Sequence, residues 1–330
     1  MPGRVGADAE RLREHHGVPY AFDPELAPFV DLLPAGDFRD VAAARAGIAD
    51  LLTPLNEGVD TTGVVISDHD VPTAAGTVHV RVYAPAGPGG VLRPALLDIH
   101  GGGFAVGSIE MEHAFATQVA RELGVVVVTP EYRLAPEHPF PAGVEDCFAA
   151  LQWTADNTGL LQVDAVRIAV GGQSAGGGLA AAVALLARDR GGPTLCFQFL
   201  GIPELDHRLD TVSMRTFVDT PLWHRPNAEL SWEYYLGPDV GTVSPYASPA
   251  VATDLAGLPP AYVTTMEFDP LRDEGITYAL RLLEAGVTVE LHSFPGTFHG
   301  STLIPTAAVS RRAHHELLTA LRRGLRVDSE

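Results

Sequence analysis

Arg167-Ile168-Ala169-Val170-Gly171-Gly172-Gln173-Ser174-Ala175-Gly176 runs from an apolar, β-type stretch into a glycine-serine turn. The Ala/Leu-rich residues 179–187 that follow read as a helix. Strand, G-x-S-x-G and helix in that order is the arrangement of a nucleophile elbow. Such a turn is so tight that a Cβ beside the serine would clash, and glycine takes the neighbouring positions. The hydroxyl of Ser174 then stands at the top of a sheet, facing the positive end of the helix dipole. A glycine-rich turn with a serine helix cap would read the same pentapeptide, but the strand before it and the helix after it favour the elbow.

Upstream, His100-Gly101-Gly102-Gly103-Phe104 follows a second short strand, Ala95-Leu96-Leu97-Asp98-Ile99. Acyl transfer passes through an oxyanion, which needs preorganised donors where the charge develops. Consecutive glycines let backbone N–H groups come close to a substrate, and a loop of this type accompanies the elbow. The candidate donors are the N–H groups of Gly102 and Gly103, joined by that of Ala175. A merely flexible glycine loop is the alternative.

A serine nucleophile needs a base, and the base needs an orienting acid. Residues 261–268 read as a strand that ends in Asp269-Pro270-Leu271-Arg272-Asp273. Asp269 at that strand end can face the site. It also reads as a helix N-cap with Pro270 as first helical residue, and both readings can hold together. Residues 288–294 read as the last strand, and Pro295-Gly296-Thr297-Phe298-His299-Gly300 as the loop after it. His299 is the candidate base, against the alternative of an ordinary surface-loop histidine. His292 competes from within the strand pattern, and Asp273 and Asp254 compete with Asp269.

HGGGF, then Tyr132-Arg133-Leu134-Ala135-Pro136-Glu137-His138-Pro139-Phe140-Pro141-Ala142, then the elbow, then Asp269-Pro270-Leu271-Arg272-Asp273 follow one another in order. In this the chain resembles the bacterial hormone-sensitive-lipase-like (family IV) carboxylesterases over nearly its whole length. The resemblance implies an α/β-hydrolase fold with a helical cap. It implies Ser174 as nucleophile, Asp269 as acid, His299 as base, and Gly102, Gly103 and Ala175 as the oxyanion hole. Residues 171–178, 202–206 and 220–227 are further similar to acetylesterases of that family that act on aryl and alkaloid acetates. That likeness implies acetyl to butyryl esters as substrates. Two positions depart from the common pattern: Gln173 stands where many members have Asp or Thr, and Ser301 where an aromatic is usual. Neither removes a catalytic atom, and both bear on the shape of the pocket.

Composition agrees with a single large α/β domain: 330 residues, 46% of them apolar, suffice for one core. The net charge of −19 argues against nucleic acid or an anionic membrane as partner. Residues 1–16 are polar and show no secretory segment, and no apolar run is long enough to span a bilayer, so a cytoplasmic chain is expected. There is no lysine, which excludes Schiff-base chemistry, a pyridoxal-phosphate lysine and a Walker-type phosphate loop. Cys147 and Cys196, in a helical and a strand pattern, read as buried free thiols. The 13 histidines include no H-E-x-x-H. The adjacent pairs His15-His16 and His314-His315 point to different helix faces, so no metal site is expected.

Residues 64–67 and 77–83 read as an entry hairpin, and strands and helices alternate from residue 95. The all-apolar strand 125–129, the helix 142–157 and the strand 195–202 continue the alternation. This predicts a mostly parallel central sheet with helices on both faces. Chemistry then belongs at the C-terminal strand ends, where the three triad candidates fall. Residues 56–330 are expected to form the catalytic domain. Residues 1–55 and 204–236 do not fit the alternation, and the resemblance implies that they form the cap. The first has a helical pattern from Asp37, with Phe38, Val41, Ile48 and Leu52 on one face. The second carries Met214, Phe217, Trp223, Trp232, Tyr234 and Tyr235, of which Phe217 and Trp223 are the candidate pocket walls. Ordinary packing of these aromatics onto the sheet is the alternative.

The sequence thus reads as a serine carboxylesterase acting on a small-molecule ester, alone or as a homodimer, without a cofactor. A non-catalytic small-molecule receptor on the same fold is the reading from another class; it is disfavoured because both Ser174 and His299 are kept. An amidase, lactonase or thioesterase would use the same triad.

Overall fold

Apolar residues alternate between two buried faces along the central strands, and this alternation organises the molecule. The computed structural model describes residues 20–33, 37–87, 90–238 and 241–327, without the side chains of Leu51 and Leu55. Residues 1–16, with the pair His15-His16, lie outside that description.

The strands are β1 (Val64–Thr73), β2 (Gly76–Pro85), β3 (Arg93–Ile99), β4 (Val126–Glu131), β5 (Val163–Gln173), β6 (Phe197–Gly201), β7 (Ala261–Phe268) and β8 (Val289–Phe298). They form one sheet in the order β1-β2-β4-β3-β5-β6-β7-β8. β2 runs antiparallel to β1 and β4, and every pair from β4 to β8 is parallel. The α-helices are α1 (Val41–Glu57), α2 (His113–Leu123), α3 (Ala142–Asp156), α4 (Thr158–Leu161), α5 (Ala175–Asp189), α6 (Val212–Thr216), α7 (Arg225–Leu236), α8 (Arg272–Glu284) and α9 (Ala308–Gly324).

Leu97, Ile99, Val126, Val128 and Val170 pack with α3 and α5 on one side of the sheet. Leu96, Val127, Ala169, Phe197 and Tyr262 pack with α2 and α9 on the other. Neighbouring side chains in a strand point to opposite faces, so a sheet covered on both sides needs continuous apolar runs. α5, buried from Ala175 through Ala187, is apolar all round because it sits inside the core. α9 is a surface helix with a buried stripe of Ser310, Ala313, Leu317, Ala320 and Leu321 and exposed arginines at Arg311 and Arg312. His314 is half-buried against Gln118 while His315 is exposed, as adjacent helical positions require.

Three local readings of the sequence need correction. β8 does not stop at residue 294. It continues through Pro295 to Phe298, with a register shift opposite Met266 and Phe268. As the edge strand it tolerates a proline there, since one side has no ladder to lose. Phe38 is not part of the α1 face: Asp40 caps the helix by accepting from Ala43 N–H at 3.0 Å, and Phe38 lies before it. Cys147 is buried in α3, but Cys196 precedes β6 by one residue and is only half-buried, because the chain is still entering the sheet there.

Candidate active site

The C-terminal ends of β5, β7 and β8 bring three side chains into one hydrogen-bonded chain. Ser174 occupies the turn between β5 and α5 with φ 58° and ψ −125°, a conformation that non-glycine residues rarely adopt. The turn is pinned on all sides. Ser174 N–H donates to Gly201 O at 2.8 Å, and Ser174 O accepts from Gly178 N–H and Glu204 N–H, each at 3.0 Å. Glycine is obligatory around it. A Cβ on Gly172 would stand 2.4 Å from Ile99 O, and one on Gly176 only 2.0 Å from the same oxygen.

Asp269 follows β7 and is fully buried. One carboxylate oxygen accepts Leu271 N–H at 2.9 Å, and the other lies 2.8 Å from His299 Nδ1. It is not the N-cap of α8. That place falls to Leu271, and α8 starts at Arg272 because Pro270 and Leu271 form an extra turn first. His299 follows β8, and its Nε2 is 3.0 Å from Ser174 Oγ. A carboxylate only accepts, so Nδ1 carries the hydrogen and Nε2 presents its lone pair to the serine. The competitors lie elsewhere. Asp273 accepts from Ser213 N–H and Arg272, Asp254 from Ala256 N–H, and His292 pairs with Glu290 and Glu316.

The glycine loop follows β3 and abuts the elbow: a Cβ on Gly101 would meet Gln173 O at 2.9 Å. Gly102 has φ +108°, and its carbonyl accepts from the N–H groups of Ala105 and Val106. The loop's entry is held by Tyr132, whose hydroxyl donates to His100 O at 3.1 Å and whose ring stacks on His100 at 4.2 Å. In the loops and turns of the described residues, no backbone carbonyl takes the N–H of Gly102, Gly103 or Ala175. Ala175 opens α5, where the first N–H groups have no partner within the helix.

Trp223 is buried beside His299, its ring 5.9 Å from the imidazole and 5.1 Å from the ring of Phe38. A side chain on Gly103 would strike both Trp223 and Phe38. Phe217 instead belongs to a cluster with Leu26, Phe268, Phe298 and Ile304, against the strand ends that carry Asp269 and His299. Ser301, where an aromatic is usual, is buried with its hydroxyl toward Met266.

Residues 96–303 match the family described as alpha/beta hydrolase fold. The carboxylesterase NlhH of Mycobacterium tuberculosis is 42% identical over 259 residues, covering 75% of this chain and 79% of that protein. An arylesterase of Saccharolobus solfataricus is 36% identical over 293 residues, covering 84% and 91%. Among solved structures, a bacterial heroin esterase superposes with a TM-score of 0.91 at 55% identity, covering 94% of this chain and 99% of the other. The chain belongs to the hormone-sensitive-lipase-like esterases of the α/β-hydrolase fold.

This esterase holds its site through contacts that the sequence did not reveal. Arg45 on α1 donates to the carbonyls of Ala105 and Ala135 and pairs with Glu137, which ties α1 to the glycine loop. Tyr234 on α7 donates to Phe38 O at 3.0 Å, which holds Phe38 in place. Beneath the elbow, Glu204 is fully buried and its Oε1 lies 3.0 Å from Ser231 Oγ. Burial pushes its carboxyl up to about 8. Glu274, buried on α8, accepts the N–H groups of Leu205 and Asp206 and is likewise held well above the carboxylate range by burial. Asp98 and Glu112 form a buried pair behind the glycine loop, and burial raises both. The available signal was an acidic residue inside an apolar run, as in Leu97-Asp98-Ile99 and Ile202-Pro203-Glu204-Leu205.

Ser174 and His299 are 7% and 8% exposed. Two surface cavities of about 510 and 360 Å³ lie away from them, one beside Arg133 and Phe148, the other beside Arg208 and Arg281.

Proposed function

We propose that this esterase hydrolyses short acyl esters, acetyl to butyryl, through an acyl-enzyme on Ser174. The observation that carries the reading is the continuous chain Ser174 Oγ, His299 Nε2, His299 Nδ1, Asp269 Oδ2, at 3.0 and 2.8 Å. His299 takes the serine proton as Oγ attacks the ester carbonyl. Asp269 fixes the tautomer and stabilises the imidazolium. The N–H groups of Gly102, Gly103 and Ala175 receive the oxyanion as it forms. The imidazolium then protonates the departing alcohol. Water, deprotonated by the same imidazole, releases the acid.

The size limit rests on the cover over the site. We read residues 1–55, of which 20–33 and 37–55 are described, and 204–236 as cap segments over the catalytic domain 56–330, with the helix α1 crossing the boundary. Trp223 and Phe38 abut the glycine loop in that reading. Each methylene that finds room contributes about 0.8 kcal/mol, and one that meets a wall contributes nothing. The names of the arylesterase and the heroin esterase favour aryl and alkaloid leaving groups for this chain as well.

Two measurements test the proposal. An organophosphate should label Ser174, and Ser174→Ala should lower kcat on the order of 10⁶-fold. In a series of aryl esters, kcat/KM should peak between acetyl and butyryl and fall beyond. A label on another serine, or rates that keep rising to dodecanoyl esters, would overturn it.

A further inference from the structure

Ser231 on α7 makes two contacts that one hydroxyl proton cannot serve alone. Its Oγ lies 3.0 Å from Gly103 O and 3.0 Å from Glu204 Oε1. A hydroxyl has one hydrogen to give, and a peptide carbonyl can only accept. If Ser231 donates to Gly103 O, its own oxygen must accept from Glu204, which requires a carboxylic acid there. We propose that Glu204 works as a protonated positioning residue, donating through Ser231 to the Gly103 carbonyl and so fixing the glycine loop that receives the oxyanion.

The surroundings favour the acid form. Glu204 is fully buried, and Oε2 has no hydrogen-bond partner among the described residues. An orphaned carbonyl oxygen of a neutral acid costs far less than an orphaned carboxylate oxygen. Tyr235 faces it from α7, Glu274 from α8 and Asp269 from the end of β7. None of these is a cation that would hold a carboxylate charged. On the side of α5, Gly178 packs against Glu204 O. Burial and the negative charge of Asp269 both raise the carboxyl.

The position makes the proton matter for catalysis. The N–H of Glu204 also donates to Ser174 O, so one residue touches the nucleophile turn through its backbone and the glycine loop through its side chain. When Glu204 ionises, the Ser231 hydrogen turns toward the carboxylate. Gly103 O then loses its donor, and the loop loses the bond that fixes its orientation. The inference rests on Gly102 and Gly103 serving the oxyanion, as proposed above.

The test is the pH profile of kcat for an aryl acetate in wild type, E204Q and S231A. In the wild type kcat should fall on the alkaline side with a midpoint near the value of about 8 that burial gives Glu204. A glutamine amide donates to Ser231 at every pH, so E204Q should turn over without that alkaline limb. S231A should lower kcat about tenfold, the cost of a lost buried hydrogen bond, with KM little changed and no alkaline limb. Infrared difference spectra of the wild type should lose a carboxylic-acid band over the same range, a readout that needs no variant to fold. A wild-type alkaline limb in E204Q, an unaltered kcat in S231A, or the absence of that band change would overturn the proposal. S174A tests the serine reading separately, because its activity should be lost at every pH whatever Glu204 does.

Discussion

At Gly176 the absence of one carbon decides whether the elbow closes. A Cβ there would meet Ile99 O at 2.0 Å and His100 O at 2.7 Å, both backbone atoms that cannot swing away. Gly176→Ala should therefore cost more than about 3 kcal/mol or prevent folding, as overpacking against a rigid wall does. Gly159→Ala, with nothing within 4 Å of the added carbon, should leave the denaturation midpoint nearly unchanged. Asp269 is a second residue whose role is decided by single atoms. Its oxygens serve Leu271 N–H and His299 Nδ1 separately. Asp269→Asn should keep the fold and lower kcat about 10⁴-fold, because the amide favours the wrong imidazole tautomer. A comparable loss from Asp273→Asn, with Asp269→Asn near wild type, would move the acid to Asp273.

Elements set how the site is covered. α1 reaches the glycine loop through Arg45, and its Val41, Ala44 and Ile48 join Phe38, Val106, Met214 and Trp223 in one cluster. The periodicity of α1 showed an apolar face, but not what the face covers. The segment after β6 was legible as an aromatic-rich interruption, yet its aromatics separate. Trp223 adjoins His299, Phe217 packs behind the strand ends, and Trp232 and Tyr235 join the main core against Phe104. Trp223→Ala should open space beside the glycine loop and move the kcat/KM optimum toward longer acyl chains. Phe217→Ala should instead lower stability by about 3–5 kcal/mol, the range for emptying a buried phenylalanine site, with the chain-length optimum unmoved. A shifted optimum in Phe217→Ala would make it a pocket wall after all.

For the whole molecule, buried acids give a pH dependence of stability with a definite sign. Glu204 holds its proton in the folded state up to about 8. An unfolded glutamate releases it near 4.3, by roughly the reference value. Stability from this group is complete below the unfolded value and is lost as pH rises through the folded one. His100, buried and pushed down to about 4, acts in the opposite direction only up to the ordinary histidine range of roughly 6.5. Above that range the buried acids act alone. The melting temperature should fall between about pH 6.5 and 8, and E204Q should flatten that fall. A melting temperature that rises across this window would contradict the assignment.

The order of strands and helices, the elbow at Ser174, the glycine loop and the candidates Asp269 and His299 were all legible in the chain's residues. Each of these is written in local chemistry: continuous apolar runs, glycines where a Cβ cannot fit, and polar residues at strand ends. The long range was not local. β8 runs to Phe298, just before His299, and pairs with β7 through a register shift that no pattern inside residues 289–298 records. Ser231 is 128 residues from Gly103, and Glu204 lies 27 residues before Ser231, so their shared contact exists only once α7 is seated against the glycine loop. Whether a buried acid keeps its proton depends on what surrounds it on every side. Packing supplies that surrounding, and the linear order of residues does not.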